Sequence, residues 1–416
     1  DVGGPVELSS TGGNVFVTTL TRSTEATIDA ANAVTLGTAN FGGALRATGN
    51  TLTAGSIDNG GLFSTSLTAR TGAMGLAAVN AGALDISAVG GPLTYSSLQV
   101  QGTVGVSARS AAGGNIVSAA GGLTLGLTDT STLGSVRALN ALTATLGGDV
   151  SYDEFASGGV LSITGGALTG NRGSAGLGRL SGDDGVAVRA TSIIAGPVSS
   201  LRGSVSLIAT GPITVGALSA AHDIGLDSGG ILTLDTLTAG DDVRVLGVGD
   251  VTLGLVTTTT GGTDNEGDGH NIEISGGALS LAGANSAGNA RFSSTGLIQI
   301  VSPITIQGDL VARGSAVTLA NVTAGGGLSL TSFGGNLSTG NLNGGSVTTN
   351  SGGSSLLGDV LATNGDINLK SATGLTTGSI SAPRGSALLS NESGPLVTGA
   401  IAVSSDFTLN SGSDLD

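Results

Sequence analysis

The sequence predicts an all-β chain folded as a right-handed parallel β-helix, or β-solenoid, with roughly 19–20 residues per coil. Three observations lead there. First, Val205-Ser206-Leu207, Ile224-Gly225-Leu226 and Val243-Arg244-Val245 recur at a step of nineteen residues. Ile213-Thr214-Val215, Leu232-Thr233-Leu234 and Val251-Thr252-Leu253 keep the same step, as do Leu218-Ser219, Leu237-Thr238 and Val256-Thr257. Second, apolar and small polar residues alternate with period two inside each unit, the pattern of short half-buried strands. Third, 76 of the 416 residues are glycine, and each would weaken a helix by about 1 kcal/mol.

Each repeat reads as about three short strands. Gly211, Gly230 and Asp250 precede the second strand of their repeats and supply turns. Equivalent strands of successive coils then pair in parallel, about 4.8 Å apart, with the right hand following from the crossover rule. Towards the N-terminus the register continues through Val6-Glu7-Leu8, Ala26-Thr27-Ile28, Leu84-Asp85-Ile86, Val104-Gly105-Val106 and Leu123-Thr124-Leu125. Towards the C-terminus Leu310, Leu328, Val347, Ile367, Leu388 and Phe407 step by 18, 19, 20, 21 and 19. Roughly 20 coils at that strand spacing make a shaft on the order of 100 Å long. No shift in composition marks a second domain, so residues 1–416 read as one continuous array.

Three interruptions are expected as loop insertions. One lies near 151–159, around Ser151-Tyr152-Asp153-Glu154-Phe155, and another spans 171–184. The third, near 258–270, lengthens the step from Val243 to Ile272 to 29 residues. Insertions in solenoids emerge as surface loops, where added function tends to sit.

Composition bounds the function. Hydrophobic residues at 39% and a mean hydropathy of +0.35 give enough apolar surface to order the chain. Charged residues are only 10% and aromatics 2%, leaving Ser, Thr, Asn and Gly to cover the wetted surface. A net charge of −15 argues against nucleic acid and anionic lipid as partners. Absence of cysteine excludes disulfides and thiolate metal sites. No apolar run is long enough for a membrane-spanning helix. The chain opens at Asp1 without a signal region, as a processed chain or an excerpt of a longer one would.

The most polar run, Thr263 to His270, holds the candidate metal ligands Asp264, Glu266 and Asp268. Alternating carboxylates among glycines can wrap a hard cation such as Ca²⁺, although neither an EF-hand nor the calcium-binding β-roll nonapeptide is present. Asp223, Asp241 and Asp242 close their coils and read as turn residues that bond local backbone N–H groups. His222 and His270 are the two histidines, and no Gly-x-Ser-x-Gly elbow accompanies them. No catalytic residue is assigned, and the chain reads as non-enzymatic.

Two alternatives remain open. Polysaccharide lyases and hydrolases on parallel β-helices need aromatic platforms and carboxylates. With no Trp and only Tyr95 and Tyr152, the one place for a sugar to stack is Tyr152 beside Asp153 and Glu154. A threonine ladder at Thr214, Thr233 and Thr252, flanked by Ser219, Thr238 and Thr257, suits an exposed strand face and also an ice-binding surface.

The phrase Leu237-Thr238-Ala239-Gly240-Asp241-Asp242-Val243, on its nineteen-residue step, resembles the repeats of filamentous haemagglutinin-type exoproteins. Leu52-Thr53-Ala54-Gly55, Val322-Thr323-Ala324-Gly325 and Thr363-Asn364-Gly365-Asp366-Ile367-Asn368-Leu369 are similar. The resemblance implies a bacterial surface or secreted shaft, exported by two-partner secretion or as an autotransporter passenger, and used in adhesion. Its implied partners are a host or neighbouring-cell surface, polysaccharide, or other copies of itself in a filament. The Asn-Pro-Asn motifs of the family's secretion domain are absent from this sequence.

Overall fold

The computed structural model describes residues 4–21, 24–171, 178–259 and 271–412. Their regular secondary structure is entirely β, in short strands that pair in parallel with the equivalent strand one coil on. No helix among them is long and apolar enough to cross a membrane. Where the sequence suggests one continuous array, contacts divide the chain into two compact units, Asp1–Gly203 and Ser204–Asp416.

In the first unit, one ladder of strands runs through Val6, Ala26, Leu45, Thr65, Leu84, Val104, Leu123, Leu142, Leu161 and Val186. Its steps are 19 or 20 residues until the last, Leu161 to Val186, which is 25. The surplus falls between the strands Leu168–Gly170 and Arg179–Gly182. The insertion expected over 171–184 is therefore confined to the stretch before Arg179, of which 172–177 lie outside the described residues. The interruption expected near 151–159 is corrected. Val150–Ser157 is one strand in register with Ser131–Ala138, at an unbroken step of 19.

In the second unit the corresponding ladder runs Val205, Ile224, Val243, Ile272, Ala290, Leu310, Leu328, Val347, Ile367, Ala387 and Phe407. The 29-residue step from Val243 to Ile272 is present. Near the C-terminus the register corrects the sequence reading by one residue. Ala387, not Leu388, points inward and follows Ile367, because the ladder step is 20 there.

The expected three strands per coil are partly merged. Ile213–Ala220, Leu232–Ala239 and Val251–Thr258 each run through the second and third positions as one strand, with Gly216, Asp235 and Gly254 dropping out of the pairing at a bend. From Leu297 onwards the two positions separate, as in Leu297–Ile300 and Ile304–Ile306.

Alternation puts every second side chain inside, where stacked coils cover it. Val205, Ile224, Val243, Ile272, Ala290, Leu310, Leu328, Val347 and Ile367 form one such column, none more than 2% exposed. Each large member stabilises by about 1.5–3 kcal/mol through burial. At the last inward position of this ladder the core turns polar, with Ser228, Ser294, Ser332, Ser351 and Ser371 buried. Ser351 Oγ accepts the Gly353 N–H at 3.3 Å and donates to the Ser354 carbonyl at 3.1 Å. Serine here is a corner fastener, whereas composition alone places serine on the wetted surface.

Both tyrosines are in the core. One inward column of the first unit reads Leu76, Tyr95, Gly113, Leu133, Tyr152, Gly170. Each ring is thus followed, one coil later, by a glycine. A Cβ added at Gly113 would meet three Tyr95 ring carbons at 2.6 Å, so the missing side chain is what gives the ring its room. Tyr152 also packs on Phe155, with centroids 5.0 Å apart and planes at 50°. Burial pushes both phenols well above their usual pKa. Neither hydroxyl has a hydrogen-bond partner among the described residues. A buried unpaired hydroxyl is costly, so Tyr152→Phe is expected to raise unfolding free energy by about 1 kcal/mol. Urea denaturation would check this, and a loss of stability would show that the hydroxyl is satisfied.

Candidate functional site

Asp264, Glu266 and Asp268, the candidate Ca²⁺ ligands, lie outside the described residues, as does His270. Among the described residues no group of three or more His, Asp or Glu side chains could hold a metal ion. His222 is half-buried in the turn before Ile224, where its carbonyl accepts the Asp241 N–H at 3.3 Å.

Asp223 and Asp242 do bond backbone N–H groups, and those they reach belong to the next coil. Asp223 Oδ1 accepts the Asp242 N–H at 3.3 Å, and Asp242 Oδ1 accepts the Asn271 N–H at 2.7 Å. The chain continues one coil at a time: Asn271 Oδ1 takes the Asn289 N–H at 3.1 Å, Asn289 that of Asp309 at 2.8 Å, and Asp309 that of Gly327 at 2.6 Å. A second such ladder joins Asn321, Asn341, Asp359 and the N–H of Ser379. Stacking explains the correction: an outward Asx at a corner lies beside the next coil's N–H, which the parallel pairing leaves unused. These carboxylates act as cross-coil fasteners.

The proposed sugar platform is also corrected, because Tyr152 is 0% exposed and cannot present its ring. Its neighbour Glu154 has a different role. Although outward-facing in its strand, it is only 1% exposed, covered by two guanidinium groups. Arg137 Nε donates to Oε2 at 2.6 Å and Arg179 Nε donates to Oε1 at 2.8 Å, with Arg179 Nη2 reinforcing the second contact. Burial pushes the Glu154 pKa up, and the Arg179 and Arg137 guanidinium groups together outweigh it and hold the carboxyl below its usual range. Arg179 is the first residue of the strand that follows the insertion, so this triad ties down the base of that excursion. Sequence reading misses it because Arg137 and Arg179 lie 17 and 25 residues away, neither at the nineteen-residue step.

The surface with unspent chemistry lies in the second unit, on the outward face of the strands Val243–Gly247, Ile272–Gly276, Ala290–Ser294 and Leu310–Gly314. Pairing aligns Arg244, Glu273, Arg291 and Val311 in one outward row. Two residues on, Leu246, Ser275, Ser293 and Arg313 form the next row. Arg244 Nε is 3.6 Å from Glu273 Oε2, an exposed pair worth at most about 1 kcal/mol. Arg291 and Arg313 have neither an ion pair nor a side-chain hydrogen bond among the described residues.

Two shallow grooves flank these rows. The first, of about 460 Å³, is lined by Arg244, Glu273 and Arg291, with Asp242, Asn289 and Asp309 along its rim. The second, of about 380 Å³, is lined by Ser275, Gly276, Ser293 and Thr295 together with Arg313 and Phe333. Among the described residues that line the second groove, Arg313 is the one charged group and Phe333, 65% exposed, the one aromatic ring. Such a surface can hydrogen-bond and ion-pair with a ligand. Comparison with known proteins finds no matching family model, curated protein or solved structure.

Proposed function

We propose that the chain is a non-enzymatic structural and adhesive shaft of a secreted or surface-exposed bacterial protein. The observation that carries this reading is the parallel pairing from coil to coil within each unit, reinforced in the second by the Asx ladders at the corners. Each coil is held to the next along several strands at once, which suits a part whose job is to keep a fixed extent under load. Outward rows of small hydroxyl side chains, such as Thr214, Thr233, Thr252 and Ser280, leave a hydrated surface on which specific contacts can be few and local. Its partners in this reading are a neighbouring-cell or host surface, polysaccharide, or further copies of the chain.

Coating beads with the purified chain and measuring their attachment to bacterial and host-cell layers tests the adhesive part. Electron microscopy of the same material separates single particles from filaments. Attachment above that of uncoated beads is expected. Release of shorter products from acidic polysaccharides incubated with the chain would overturn the non-enzymatic reading. An ice-binding reading draws on the threonine row, but Gln299 follows Ser280 in it, and Pro212 and Gly216 flank Thr214 without hydroxyls. No thermal hysteresis is expected.

A further inference from the structure

We infer that the groove bounded by Arg313 and Phe333 binds a linear acidic polysaccharide, taking a uronate carboxylate on Arg313 and the face of a sugar ring on Phe333. The inference rests on the adhesive reading and deepens it by naming a ligand class and a site.

Arg313 supplies the charge. Its guanidinium is exposed and, among the described residues, unpaired and the one charged group lining this groove. A guanidinium offers planar, paired donors that match a carboxylate. Arg291 lies one coil earlier and two residues before the Arg313 position, on the same face. Strand rise and spacing put the two Cα atoms about 8 Å apart along a diagonal. Two unpaired cations at that separation suit a polymer carrying repeated carboxylates better than a lone anion. Of the nearby acids, Glu273 faces Arg244, and Asp242 and Asp309 line the other groove, where each accepts a backbone N–H through Oδ1.

Phe333 supplies the second contact. It sits at the corner after the strand Gly327–Ser332, with its backbone N–H fixed on the Gly314 carbonyl at 2.9 Å. A pyranose presents a face of C–H bonds, and packing it on an exposed ring removes apolar area of both from water. The rest of the described lining is glycine, serine and threonine, small residues that leave room for a chain and hydroxyls that can hydrogen-bond to it. The groove runs across successive coils, so a linear ligand can lie along it.

The test is calorimetric titration of the whole chain with oligogalacturonate, using a neutral dextran oligomer and single-stranded DNA as comparison ligands. Oligogalacturonate is expected to bind, and dextran and DNA are not. Arg313→Gln is expected to weaken binding about ten- to hundred-fold, the range for a lost hydrogen bond to a charged group. Phe333→Ala is expected to weaken it as well, while Arg384→Gln, on a distant coil, leaves it unchanged. Arg313 and Phe333 are exposed, so neither change is expected to alter the fold, and unchanged circular dichroism would confirm that. Absence of oligogalacturonate binding, equal binding of dextran or DNA, or full affinity in Arg313→Gln would each overturn the inference. Bead attachment that persists in Arg313→Gln while oligogalacturonate fails to bind would leave the adhesive reading standing and remove this one.

Discussion

Replacing Arg137 and Arg179 together with alanine is expected to destabilise the protein by about 1.5–3 kcal/mol, because it removes the charge-assisted hydrogen bonds to Glu154 and opens to water the carboxylate that the two guanidinium groups cover. The two arginines are about half exposed, at 54% and 46%, so their own solvation changes little. The cost arises on the carboxylate. Acid dependence distinguishes this from a general loss of packing. In the native protein the Glu154 pKa is held below its unfolded value, so its contribution is present above the ordinary glutamate pKa of about 4.3. That contribution is lost as pH falls through the folded value. In the double variant the carboxylate loses both cations together with the cover they provide, so its folded pKa returns towards the unfolded value. Stability is then expected to fall less than that of the native protein as pH drops towards 4. Urea midpoints of both proteins between pH 7 and pH 4 would measure this, and parallel profiles would refute the role given to the triad.

Gly113→Val is expected to cost about 3 kcal/mol, at the upper end of overpacking penalties. Strand propensity alone predicts the opposite, since valine suits a strand and glycine weakens one. The sign therefore decides between local preference and core packing. A valine Cβ would stand 2.6 Å from the Tyr95 ring, which the core holds at 5% exposure and cannot easily release. Combining Gly113→Val with Tyr95→Val is expected to recover at least half of the loss, because the two positions share one slot in adjacent coils. Thermal or urea denaturation of the two single variants and the double would settle it. Additive losses would show that the pair is not coupled.

Much of the architecture was legible because a fixed step and period-two alternation leave little choice of stacking. Val205, Ile224 and Val243 can all face inward only if successive coils shift by nineteen residues, and they do. The same reasoning located the 29-residue step before Ile272. It erred where composition stood in for position. Tyr152, beside two acids, looked like a surface platform, yet its strand parity points inward and Gly170 makes space for it one coil later. The eighteen-residue offset from each tyrosine to a glycine was a readable sign of this. Leu388 stands in the apolar series at a step of 21, whereas the register carries Ile367 to its neighbour Ala387 at a step of 20.

Period and alternation along the chain suffice to dictate a stack of short parallel strands, most of the residues in its core columns and the place where the long step interrupts them. Burial is a summed property of many apolar residues in a repeating pattern, so it survives errors at single positions. Which polar side chains meet depends instead on how successive coils stack. Asp242 was a turn residue until the next coil placed the Asn271 N–H beside it. Glu154 acquired Arg179 because the chain returns from its excursion at that height. Arg313 and Phe333 came to bound one groove because adjacent coils present them along the same edge. Such encounters depend on coil steps that vary between 18 and 29 residues, and a change of one residue moves a side chain to the opposite face.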